Sequence, residues 1–447
     1  MSKRNLILLI IILTTLIIGG FIVFYFYQKI NTGGDTTSGT NFFADFLPFG
    51  KSKNITPKDT TSPTNVSGYI PPTETETSII KLKKISSFPI AGFGIFMKER
   101  FKDVMAPDPN ATPQNLGEIV DPIDPNPPTT ETEIVPAIRY VRKSNGNIYQ
   151  TFADKIDERK FSSTVIPTVY EAFFGNNGES VLMRYLKKDN QTIETFLSTL
   201  QKEYLGADSV GINEVNGYFL PENVSDLSIS SDMKKVFYLF NSKDTTIGNT
   251  VSLEDTTKIQ VFDSSFSEWL SSWPSTNMIT VTTKPSYATP GFMYAIDPTK
   301  KDFNKVLGGI NGLTTLTSPS ETMVLNSDNT LSLSIFNKET GVSSSLDLQT
   351  LPEKCVWGTA SDVIYCAVPK SISGTEYPDS WYQGETSFSD QIWKIDVESR
   401  NTTMISDLSS VDGTEDIDGI KLSLDENQNF LFFVNKKDSY LWELQLK

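Results

Sequence analysis

Hydrophobic and polar positions divide the chain into three regimes. Residues 6–27, LILLIIILTTLIIGGFIVFYFY, form one apolar run without a charge. From residue 31 to about residue 78, Thr, Ser, Gly, Pro and Asn dominate. Beyond that, short apolar runs alternate with clusters of Gly, Asn, Asp and Ser, and helical periodicity almost disappears. The pattern predicts one long N-terminal helix, a stretch without regular structure, and a large all-β domain.

At 1.5 Å per residue the first run extends about 33 Å, enough to cross a hydrocarbon core of roughly 30 Å. Tyr25 and Tyr27 stand where aromatic belts form at the lipid boundary. Lys3 and Arg4 precede the run and Lys29 follows it, which favours a cytoplasmic N-terminus. The competing reading is a cleaved signal peptide. The run is long for one, and it ends in FYFYQK without a small-residue cleavage pattern or a lipobox cysteine. The expected order is a cytoplasmic stub (1–5), a transmembrane helix in contact with the bilayer (6–28), a disordered tether (29–78) and an extracytoplasmic domain (79–447).

The tether offers little apolar surface to offset the entropy of ordering it. Residues 41–50, NFFADFLPFG, are the exception. They read either as a short amphipathic helix, on the membrane or on the domain, or as an apolar patch within disorder. A second loose stretch, residues 105–136, carries prolines that argue against regular structure.

The β-rich domain repeats. LSISSDMKKVFYLFN, LSSWPSTNMITVTTK, LTSPSETMVLNS, CVWGTASDVIYCAVP and LSLDENQNFLFFVNKKDSYLWEL align as strand, polar turn and apolar strand. Equivalent positions are Ser230, Trp273, Thr317, Trp357 and Leu424, separated by 43, 44, 40 and 67 residues. An insertion at residues 371–390 explains the long last interval, after which QIWKIDV matches the C-terminal YLWELQL. Two earlier units, at residues 169–197 and at 85–96 with 138–152, bring the total to about seven. A repeat of roughly 40–45 residues is that of a β-propeller with four-stranded blades. An irregular β-sandwich would not repeat W-K-I-D and W-E-L elements at that spacing.

The turns D-M-K-K, D-E-N-Q and S-E-T-M stand where WD-repeat-like bacterial propellers carry S-P-D-G-K. Residues 80–447 thus resemble the TolB-like propeller family of bacterial envelopes, and more closely its single-pass envelope members. The resemblance implies blade architecture. The eukaryotic G-H dipeptide is missing and the turns depart from S-P-D-G, so no partner is carried over.

Composition narrows the chemistry. The chain has no histidine, which removes Ser-His-Asp and Cys-His sites and imidazole-bound zinc. A net charge of −15 repels phosphate backbones and argues against nucleic-acid binding. Cys355 and Cys366, the only cysteines, flank a turn and fall on neighbouring strands, where an oxidising compartment would join them. Ser231-x-x-Lys234 and Ser327-Asp328-Asn329 imitate penicillin-binding motifs, but Ser231 precedes a turn rather than opening a helix. Asp121, Asp124 and Asn126 are spaced somewhat like a calcium loop, yet prolines stiffen it and the EF-hand glycine and glutamate are absent. No catalytic, cofactor or metal residues are assigned.

The expected function is non-enzymatic binding or scaffolding at the cell envelope, of a protein, peptide or glycan. Both insertions should decorate the ligand face. Trp381 and Tyr382 are the candidate contacts, unless that loop folds back as a plug. The alternatives are a glycan hydrolase with paired carboxylates at the propeller mouth, or a subunit of a secretion or pilus assembly.

Overall fold

A computed structural model describes residues 82–102, 131–155, 157–205, 213–410 and 416–447. The expected anchor and tether, residues 41–50 and the Asp121–Asn126 loop lie outside the described residues. Among those described, no helix is long and apolar enough to cross a membrane.

Strands β1–β28, numbered in chain order, form seven four-stranded antiparallel sheets. Six are consecutive meanders. They begin with β2 (Ile90–Phe101), β6 (Val169–Gly175), β10 (Val224–Ile229), β14 (Trp269–Ser275), β18 (Thr314–Thr317) and β22 (Cys355–Trp357). The seventh combines β26 (Gly419–Leu424), β27 (Phe430–Asn435) and β28 (Leu441–Gln445) with β1 (Leu82–Lys84) from the other end of the chain. The domain is an all-β, seven-bladed propeller, and its blades are those marked by the sequence repeat. Trp273, Thr317, Trp357 and Leu424 lie on first strands, and Ser230 directly follows one.

Position within the blade dictates composition. Second strands are covered on both faces by neighbouring blades, so they read as continuous apolar runs. β11 (Lys235–Ser242) is KVFYLFNS, and β23 (Val363–Pro369) is VIYCAVP, buried along its whole length. Outer strands are half solvated and alternate, as in SSSLDLQ of β21 (Ser343–Gln349). Seven apolar clusters fill the seven blade interfaces, from Ala91 and Val141 against Ala172 and Met183 round to Phe432 and Leu441 against Ile138 and Tyr140. First strands of neighbouring blades contact each other around the axis. There Gly92 meets Ala172 so closely that an added Cβ would lie 1.9 Å from its carbonyl oxygen.

The turns after the first strands depart from glycine without departing from its conformation. Met233, Glu321, Ser361 and Gln428 occupy the left-handed region with φ of 59°, 64°, 62° and 54°. The local conformation is the one a glycine-bearing turn would adopt. In the last blade the Asp425 carboxylate accepts the N–H groups of Asn427, Asn429 and Phe430, which offsets part of that cost.

Two expectations are corrected. β2 and β3 (Thr132–Arg142) form one long hairpin in which Met97 pairs with Pro136, so residues 132–136 are strand rather than insertion. The two insertions also leave from opposite ends of the sheets. One joins a first to a second strand, and the other joins β23 to β24 (Asp390–Asp396), a second to a third. Antiparallel pairing puts the strand ends that carry those connections at opposite ends of the sheets, and the second leaves from the face described below.

The ring closes where β1 pairs with β28: Leu82 with Leu444, Lys83 with Glu443 and Lys84 with Trp442. The Glu443 side chain is completely buried, neither of its oxygens is hydrogen-bonded, and Lys83 Nζ stands 3.8 Å away. Burial pushes its carboxyl up to about 7, against the partial relief from Lys83. The folded state therefore keeps a proton that the unfolded chain releases, and stability falls as pH rises from the ordinary glutamate range through about 7. Glu443→Gln should match the parent near pH 5 and exceed it by about 2 kcal/mol at pH 8. Denaturant unfolding at both pH values checks this. A variant less stable at pH 8 would show that the Lys83 pair outweighs burial.

Candidate functional site

First strands carry hydroxyls and small groups toward the axis and leave a central cavity of about 490 Å³. Its wall includes Phe173 of β6, Asp226 of β10, Ser271 and Ser272 of β14, Thr314 and Thr315 of β18, and Lys421 of β26. Glu353, from the short 3-10 turn before β22, and Tyr382, from the insertion, complete it. Several wall hydroxyls are paired, Thr282 with Thr315 across the wall at 2.7 Å, Thr314 with Ser327 and Ser271 with Ser228 behind it.

Two carboxyls face this space, and neither forms an ion pair among the described residues. Asp226 Oδ2 accepts the Ser271 N–H at 2.5 Å, and Glu353 Oε1 accepts the Tyr382 hydroxyl. Enclosure by protein pushes Asp226 up to about 6, opposed by the Ser271 bonds. It pushes Glu353 up to about 7, opposed by Tyr382 and assisted by the charge of Asp226. The Tyr382 hydroxyl is held well above its ordinary range, by burial first and by Glu353 second. Nearby, Glu171 takes both available cations, Arg184 at 2.6 Å and Lys421 at 3.3 Å.

The insertion covers one end of the ring. Its single-turn helix α1 (Asp379–Tyr382) sits on a core of Leu331, Leu351, Tyr377, Trp381 and Phe388, against Ile420. Asp379 accepts the Tyr287 N–H at 2.6 Å, and Lys436 donates to the Trp381 carbonyl at 2.8 Å. The cap therefore spans from the fourth blade to the seventh. Trp381 is only 4% exposed, which places it in the folded-back plug. Tyr382 is half-buried and reaches the cavity.

A buried charge cluster pins the cap. Lys354 is fully buried; its Nζ contacts Asp390 Oδ2 at 2.8 Å, the Gly419 carbonyl at 3.1 Å and Asp418 Oδ1. Asp418 Oδ2 accepts Trp381 Nε1 and the Phe388 N–H, both at 3.0 Å, and the Ser387 hydroxyl at 3.2 Å. The Trp381 and Phe388 rings lie 5.4 and 5.3 Å from the ammonium. Burial pushes Asp390 up to about 6 in spite of Lys354. Burial would also raise Asp418, but Lys354 and the surrounding donors hold it below the ordinary range.

Cys355 and Cys366 form a disulfide between paired positions of β22 and β23, as their spacing around a turn implies. Asp226, Glu353, Lys354, Asp390 and Asp418 carried no sequence signal. Among 54 acids, no spacing marks the few that converge from distant blades. Ser231 follows a strand and leads into a turn, as the penicillin-binding comparison required it not to. Among the described residues, no group of three His, Cys, Asp or Glu side chains is placed to hold a metal ion.

Trp381→Ala should cost about 3–5 kcal/mol, since it empties a buried ring site and strips a donor from Asp418. Tyr382→Phe should cost about 1 kcal/mol and push Glu353 higher. Denaturant unfolding checks both; equal small losses would mean that the cap is not packed onto the ring.

No protein-family model and no curated protein matches the sequence. Solved structures do match. An oligogalacturonate lyase in complex with manganese is 8% identical, covering 70% of this chain and 85% of that one, with a TM-score of 0.47. The Vibrio parahaemolyticus oligogalacturonate lyase is also 8% identical, covering 70% and 86%, with a TM-score of 0.45. TolB from Acinetobacter baumannii is 10% identical, covering 58% and 59%, with a TM-score of 0.37. At these identities the likeness concerns the fold alone. The chain is a seven-bladed β-propeller similar to the oligogalacturonate lyase and TolB propellers.

Proposed function

We propose that this chain is a membrane-anchored, extracytoplasmic, non-enzymatic binding propeller whose capped central cavity takes a glycan. The uncharged run at residues 6–27 supports the anchor, and the Cys355–Cys366 bond supports an oxidising location. The observation that carries the ligand class is the cavity wall. It combines Ser and Thr hydroxyls, the Tyr382 and Phe173 rings and two proton-holding carboxyls. Hydroxyls and carboxyls bond a polyol in pairs, and rings pack on sugar faces. Once ionised, above about pH 7, Asp226 and Glu353 would repel a polyanion, which sets this wall against acidic ligands.

The same two carboxyls favour a second reading, glycan hydrolysis, in which Glu353 would protonate the leaving oxygen and Asp226 would act across the cleft. One experiment separates the two. The full chain in detergent is titrated calorimetrically with defined neutral oligosaccharides, and the mixtures are then assayed for shortened products. Binding without cleavage is expected, weakened at least about tenfold by Asp226→Asn with Glu353→Gln. Shortened products would transfer the conclusion to hydrolysis. Unchanged binding in the double variant would remove the cavity as the site.

A further inference from the structure

Lys354, Asp390 and Asp418 have no part in the cavity proposal, and their arrangement is expensive as an ion cluster alone. All three side chains are completely buried, against two aromatic rings. Burial strips all three groups of most of their hydration, and one proton passed from the ammonium to a carboxylate discharges both. An amine held against a carboxylic acid and shielded from water is the reactant pair for an amide. We propose that Lys354 and Asp418 condense into an intramolecular isopeptide bond, with Asp390 as proton carrier.

The positions fit each role. Lys354 Nζ contacts Asp418 Oδ1, which places the nucleophile one bond from the carboxyl carbon it would attack. Trp381 Nε1, the Phe388 N–H and the Ser387 hydroxyl converge on the other oxygen, Oδ2, where negative charge develops on attack. Asp390 Oδ2 lies 2.8 Å from Nζ, while its Oδ1 is buried without a hydrogen-bond partner and is free to hold a proton. Burial raises the Asp390 carboxyl, which suits a group that must give and take a proton near neutral pH.

The step balances without an oxidant or cofactor. The ammonium passes one proton to Asp418 Oδ1, leaving an amine and an acid. The Nζ lone pair attacks Cγ, forming the C–N bond and placing charge on Oδ2. Asp390 delivers its proton to the Oδ1 hydroxyl and receives one from nitrogen. The Cγ–Oδ1 bond breaks, water departs, and Asp390 ends as it began. The bond would tie the turn before β22 to the start of β26, fastening the sixth blade to the seventh one residue from Cys355.

Mass decides. The full chain, purified in detergent and reduced, should be lighter than its sequence by one water. Proteolysis should release a branched peptide joining the segments around Lys354 and Asp418. Lys354→Met and Asp390→Asn should restore the full mass; Asp390→Asn nearly conserves shape, and a cooperative denaturant-unfolding transition confirms that the variant has folded. A parent chain at full sequence mass overturns the bond. A deficit that persists in Asp390→Asn overturns the role of Asp390.

Discussion

Everything in this molecule depends on the packing of each blade between two others. A four-stranded sheet whose second strand is VIYCAVP or KVFYLFNS exposes too much apolar surface to stand alone. Seven such sheets bury one another only as a ring, and a ring needs a seventh interface. The short strand Leu82–Lys84 supplies it by completing the blade built from the C-terminal strands. Its few backbone bonds cover Glu443 and lock Phe432 and Leu441 against Ile138 and Tyr140.

Ring closure creates an axis, and the axis creates the cavity. First strands approach closely there, as at Gly92, and line the space with hydroxyls, a few apolar groups such as Phe173, and a few charged ones. Carboxyls placed on that wall are surrounded by protein while still touching a water-sized space, and so they hold protons to unusually high pH. The cap acts on this environment directly, because Tyr382 donates to Glu353 while its neighbour Trp381 anchors on Asp418. One four-residue helix thus joins the cavity to the buried charge cluster.

That cluster concentrates reinforcement at a single seam. The disulfide staples the first two strands of the sixth blade, and Lys354, the residue before it, reaches both the insertion and the seventh blade. The two elements are of different kinds. The disulfide restrains a local hairpin, whereas Lys354 joins segments more than sixty residues apart. The cap rests on the second of these, together with its own apolar core and the Tyr287 and Lys436 contacts.

The sequence by itself determined the blades. Four-stranded units repeat with apolar second strands because neighbours cover both faces, and that demand is met locally, residue by residue, so it can be read as periodicity. The Cys355–Cys366 pair was legible for the same reason, since a hairpin converts spacing into proximity. The turns were legible only in part. Met233, Glu321, Ser361 and Gln428 keep a left-handed backbone that their side chains do not advertise. What only the tertiary structure decided is everything that depends on closure. It buried Trp381, sent the two insertions to opposite ends, and brought Asp226, Glu353 and Tyr382 to one cavity and Lys354, Asp390 and Asp418 to one seam. Those groups are far apart along the chain, and no local preference distinguishes them from the other acids and lysines. Their chemistry comes from burial, which exists only after the ring has closed.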